Sequence, residues 1–189
     1  MPQAKEKTAP SNLKVPPHNI EAEQAILGGV LINNDAMNQI MDILLPDDFY
    51  REAHVSIFQG MVELYDRGEP IDIITLSNYL TKENFLERIG GTDYLASMVD
   101  AISTSAGILH HAQIVKDLAV RRKLIGKCAV ISESCFQEWE ETEGLLEVAE
   151  QSIFDIAEEQ IKEGFQSLKE VITTSFKKLD SAAAFEGYV

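Results

Sequence analysis

The side chains best able to move a proton or hold a metal near neutral pH are four histidines, His18, His54, His110 and His111. Metal ligands on a helix stand three or four residues apart so that they share a face. His110 and His111 are adjacent and point about 100° apart. None of the four reads as a ligand. The adjacent acids Asp47 and Asp48 could suggest paired acid catalysis, but they follow the helix-stopping Pro46 and are expected to cap a short helix. A phosphate-cradling loop needs G-x-x-x-x-G-K-[ST]. The Gly126-Lys127 pair has Arg at 121 and Cys at 128, so the pattern fails twice. No G-x-G-x-x-G occurs, and the adjacent glycines Gly28-Gly29 and Gly90-Gly91 suit close packing and helix ends. No Ser/His/Asp set assembles. The sequence therefore offers no catalytic, cofactor-binding or metal residue.

The elements around these residues are helices with legible punctuation. Residues 1–17 form a polar, proline-bearing flexible arm. Asn19 is placed to cap a helix carrying Ile20, Ile26, Leu27, Val30 and Leu31. Asn33, Asn34 and Asp35 break it. The spacing of Met37, Ile40, Met41, Leu44 and Leu45 predicts a second helix up to Pro46. A third bears Ile57, Phe58, Met61, Leu64 and Tyr65 and ends at Gly68. Asp72 caps a fourth with Ile73, Leu76 and Leu80. The β-branched run from Ile71 to Thr75 lacks any partner strand, so it is read as helix. A short helical piece, Phe85 to Ile89, stops at Gly90-Gly91, and Thr92 is expected to cap the helix bearing Leu95, Met98 and Val99.

Ser103 to Gly107 marks a subdomain boundary. Two long helices follow, 108–139 and 145–161, joined by a short polar reversal from Glu140 to Gly144; they predict an antiparallel hairpin. A lone hairpin cannot bury apolar residues on both sides, so part of it should meet another chain. Val115, Leu118, Ile125, Ile153 and Phe154 are the candidates for that self-association. After the hinge 163–166, Ser167 and Glu170 form a capping box for a last helix whose face is Leu168, Ile172, Phe176 and Leu179. That helix could fold back on its own domain or dock on a neighbour. The fold class expected is all-α: a globular helical head (18–102), a long helical hairpin (103–162), a separate linker helix (167–183) and a tail (184–189).

Composition narrows the function classes. Hydrophobic residues make up 45% of 189, ample for a core, yet no apolar run approaches the ~20 residues of a membrane span. The N-terminus has no apolar stretch of the kind a secretory signal needs. Cys128 and Cys135 lie about two helical turns apart, too far for a disulfide; they are expected to be buried small hydrophobes in a reducing, cytoplasmic compartment. Sixteen Lys and Arg face thirty-one acids, a net charge of −15, which argues against a chain that grips phosphate backbones. The basic cluster Arg121, Arg122, Lys123 and Lys127 is read as a solvated helix face balanced by nearby acids, with contact to a partner protein or passing nucleic acid as the alternative.

Four strings carry a resemblance. Lys14 to Gly29 (KVPPHNIEAEQAILGG), Asp47 to His54 (DDFYREAH), Pro70 to Leu76 (PIDIITL) and Gly90 to Leu95 (GGTDYL) resemble, in order and spacing, the N-terminal domain of bacterial replicative DNA helicases of the DnaB type. The resemblance covers about 14–180. It implies a helical head and hairpin, then a linker helix and a RecA-type motor that uses ATP and Mg. It implies hexameric rings in which these domains pair as a trimer of dimers. It also implies a collar that docks the C-terminal domain of primase, with a helicase loader as a further partner. By position, Leu168, Ile172, Phe176 and Leu179 would pack on the motor of the neighbouring subunit. The sequence stops about where the family continues into its motor, so the chain is expected to be the front of a longer protein. No cofactor is expected in this stretch, and DNA binding is expected to be weak. The alternatives are a stand-alone regulator that caps a helicase ring and a small hydrolase with an unrecognised site.

Overall fold

The structure, a computed structural model, describes residues 15–101, 107–136 and 142–158. The hinge at 163–166, the linker-helix face Leu168, Ile172, Phe176 and Leu179, and the tail lie outside the described residues. Within them every regular element is helical: α1 (Ile20–Ile32), α2 (Asp35–Ile40), a 3₁₀ turn (Pro46–Asp48), α3 (Glu52–Asp66), α4 (Ile73–Lys82), α5 (Leu86–Ile89), α6 (Gly91–Asp100) and α7 (Ile108–Ser134). Residues 142–158 form a further helix, α8. No helix among the described residues is long and apolar enough to cross a membrane.

Local chemistry sets most of the ends. Asn19 accepts a hydrogen bond from the Ala22 amide at 3.0 Å and starts α1. Asp72 takes the amides of Ile74 and Thr75, both at 2.8 Å, while the Asp72 amide donates to Thr75 Oγ1, closing a reciprocal cap on α4. Gly68, at φ +67°, turns the chain out of α3 in a conformation L side chains resist.

Two boundaries differ from the sequence expectation. Helix α2 ends at Ile40 and does not run on to Leu45. The Leu45 amide donates to Asp48 Oδ2 at 2.9 Å, which holds Leu45 extended and leaves its side chain half out in solvent. Helix α6 begins at Gly91, with Gly90 in a left-handed conformation as its cap, so Thr92 lies inside the helix and caps nothing.

The core of the head joins α1, α2, α3, α4, α6 and the near part of α7 around Ile26, Leu27, Met37, Phe58, Met61 and Leu76. Helix α1 is its axis, packed against both α6 and α7. Gly60 lets α3 approach α4: a Cβ there would sit 2.9 Å from Leu76 Cδ1 and 3.0 Å from the Tyr79 ring. Ile108, Ala112, Val115 and Ala119 of α7 are buried with these residues. The head thus takes in the first three turns of a helix that the sequence pattern groups with the hairpin. At 27 residues, α7 spans about 40 Å, and beyond Lys123 it leaves the head.

Candidate interaction surface and the polar pins of the head

Three polar contacts, two of them buried and one part-buried, fix the head. In the first, Glu23 on α1 reaches across to the start of α3. Its Oε1 accepts the Tyr50 amide at 2.8 Å and its Oε2 lies 2.6 Å from His54 Nδ1. His54 Nε2 is 2.7 Å from the Tyr94 hydroxyl, which also accepts from Arg51 Nη1 at 2.7 Å. Every polar atom is satisfied if His54 donates to Glu23 and Tyr94 donates to His54. Glu23 and His54 are fully enclosed, so a substrate cannot reach them.

In the second contact, Asp48 is buried in the 3₁₀ turn and its Oδ2 accepts from Lys116 Nζ at 2.9 Å, joining α7 to the head through a buried ion pair. Lys123 Nζ stands 3.9 Å from Asp48 Oδ1. Arg122 donates to the carbonyls of Pro17 (2.9 Å) and Asp48 (2.5 Å) and lies over the Tyr50 ring. Partial burial lowers the Arg122 pKa, opposed by Glu23, Asp48 and Tyr50. Arg122 and Lys123, expected on a solvated face, are instead turned to the head. In the third contact, Asn34 bridges to the backbone of Ile71, donating to its carbonyl at 2.6 Å and accepting its amide at 2.9 Å.

All three pins draw on the four sequence strings: Glu23 from the first, Asp48, Arg51 and His54 from the second, Ile71 from the third, Tyr94 from the fourth. The residues that carry the resemblance hold the fold.

The hairpin presents the opposite picture. Val115 is 1% exposed inside the head's core and is withdrawn from the surface candidates, because α7 is still enclosed at that turn. Leu118 is half-buried. Further along, Leu124, Ile125, Val130 and Phe136 are exposed, Phe136 to 89%. On α8, Leu146, Ile153 and Phe154 are exposed, Phe154 to 59%. The sequence predicts burial of Cys128 and Cys135, but both are free and exposed, since nothing among the described residues covers this side of α7. Ala149, Glu150, Ile153, Phe154 and Ala157 line an open apolar groove along α8.

The family model for the DnaB-like helicase N-terminal domain matches residues 15–117, the arm's end through the buried turns of α7. The chain belongs to this family. It is 36% identical to the replicative DNA helicase DnaC of Bacillus subtilis over 89% of its own length, and spans 37% of that relative. The crystal structure of the N-terminal domain of DnaB helicase from Mycobacterium tuberculosis superposes with a TM-score of 0.72 at 33% identity, covering 75% of this chain and 99% of that one. A DnaB-like replicative helicase whose structure is described with its interactions with primase shares the fold at a TM-score of 0.62 and 23% identity, over 74% of this chain and 31% of that one. The DnaB-type domain thus comprises a closed head and a helical extension with open apolar faces.

Proposed function

We propose that this chain is the collar module of a replicative helicase: it joins copies of itself through α7 and α8 and docks the C-terminal domain of primase. One observation carries the reading. The head encloses a core of large apolar side chains and buries the pairs Glu23–His54 and Asp48–Lys116, whereas the helices beyond it leave Phe136, Ile125, Leu146, Ile153 and Phe154 exposed along neighbouring turns. Apolar surface of that extent on a rigid element is an interaction surface. Docking of primase draws its support from the DnaB-like relative described with primase. In this reading ATP hydrolysis, with its Mg, belongs to a RecA-type motor matching the rest of the curated relatives. The linker helix with Leu168, Ile172, Phe176 and Leu179 reaches the motor of the neighbouring subunit. A helicase loader is a further partner, and the cytoplasm is the compartment.

A ring of chains that each carry −15 would guide a DNA strand without gripping it. Fluorescence anisotropy should find no submicromolar DNA affinity at physiological salt. The docking reading is tested by titrating a labelled primase C-terminal domain with the chain while light scattering follows its mass. Saturable binding together with a mass above one copy is expected. Binding with a mass fixed at one copy would leave a primase adaptor without a collar role, and no binding would remove the docking half.

A further inference from the structure

The stretch just before α1 is tied to α7, far along the sequence. Pro16 and Pro17 stiffen that stretch and carry no N–H of their own, so they offer only carbonyls. The Pro17 carbonyl accepts from Arg122 Nη1 at 2.9 Å, and the Pro16 carbonyl lies 2.8 Å from His18 Nδ1. A carbonyl can only accept, so Nδ1 of His18 carries the proton. The His18 ring stacks on Tyr50, with centroids 4.2 Å apart and planes within 9° of parallel. The Arg122 guanidinium stands 5.6 Å from the centre of that same Tyr50 ring. Tyr50 is fixed in turn by its amide, which donates to Glu23. Arg122 thus holds the proline stretch with Nη1 and, with Nη2, the Asp48 carbonyl of the 3₁₀ turn.

The position of this clasp gives it leverage. Before it, α7 is held by the buried turns up to Ala119 and by Lys116 on Asp48. After it, every residue from Leu124 to Val130 is exposed. Arg122 therefore sits where α7 parts from the head. From there to Ser134 the helix runs on for about 18 Å, so a tilt of about 10° at the clasp moves its end by about 3 Å. We propose that Pro16, Pro17 and His18 form a strap that, through Tyr50 and Arg122, sets the direction in which α7 leaves the head. With the strap seated, α7 projects in one direction; with the strap released, it swings on its buried turns. The strap needs no second copy, so it stands or falls apart from the self-association reading above.

The experiment reads a distance between two spin labels on the full chain, diluted with unlabelled chain so that only pairs within one copy count. One label sits on the exposed Cys135, with Cys128→Ser, and the other on Asp66→Cys at the end of α3. Circular dichroism confirms that each variant keeps its helices. With the strap intact the distance distribution should be narrow. Arg122→Ala, which cuts both bonds, should widen it by about 3 Å or more, the lever computed above. Tyr50→Leu and His18→Ala, which remove the ring stack, should widen it by less. Ring variants as narrow as the intact chain would overturn the strap, because Arg122 would then steer α7 through the 3₁₀ turn alone. A distribution equally broad with and without Arg122 would overturn it as well. Should Arg122→Ala lose helix, His18→Ala decides alone, since that ring is exposed and its loss leaves the core untouched.

Discussion

The head and the hairpin are built by opposite rules, although one helix runs through both. Over its first turns α7 buries Ile108, Ala112, Val115 and Ala119 and even hides a lysine, Lys116, against Asp48. Over its last turns the same helix leaves Leu124, Ile125 and Val130 bare. Burial of a charge is tolerable only when its partner is in place, so the head is a structure that fails when one pin is pulled. Farther along, the exposed apolar side chains of α7 and α8 gain only when another surface arrives. Substitutions in the head should therefore change stability, and substitutions in the hairpin should change assembly.

The largest effect is expected at Asp48. Asp48→Ala removes the buried carboxylate that accepts from Lys116 and should cost about 3–5 kcal/mol, seen as a lower midpoint in urea unfolding; a loss under about 1 kcal/mol would show that this ion pair adds little to the hold that packing and Arg122 already have on α7. Next comes the contact of α3 with α4. Gly60→Val forces a side chain against Leu76 and the Tyr79 ring and should cost about 1–3 kcal/mol, again by urea. Gly68 is a cleaner probe of backbone, with φ +67° and nothing within 4 Å of an added Cβ. Gly68→Ala should cost about 1–2 kcal/mol, and no loss would mean that the turn relaxes. The smallest stability effect is expected at Ile125→Asp, within about 0.5 kcal/mol as for other surface changes, together with a clear loss of self-association. A large stability loss there would erase the contrast between the two regions.

How much of this was legible in the sequence depends on how local the cause is. Asn19, Gly68 and Asp72 act on their own neighbours, and each appears where its type and position predict. The end of α2 was not legible, because Asp48 holds the Leu45 amide and that partner lies beyond Pro46. The buried pins were missed for the same reason at longer range, Glu23 to His54 being 31 residues and Asp48 to Lys116 being 68. A signal did exist. Lys116 stands four residues after Ala112 and three before Ala119, on an otherwise apolar face; His54 precedes Ile57 and Phe58 at the same spacing, and Glu23 precedes Ile26 and Leu27. A lone polar residue inside an apolar stripe announces a buried partner without naming it. Exposure of Cys128 and Cys135 was hidden from pattern reasoning because periodicity reveals an apolar face and not what covers it.

The central claim is that the bare hairpin faces are sites for sister copies while the head is self-sufficient. Sedimentation equilibrium over a concentration series tests it most directly, with the wild-type chain beside Ile153→Asp. The account predicts a wild-type mass that climbs from one copy toward two or six as concentration rises, and a variant that stays at one copy with its helices intact. Identical masses for the two chains at every concentration would contradict it.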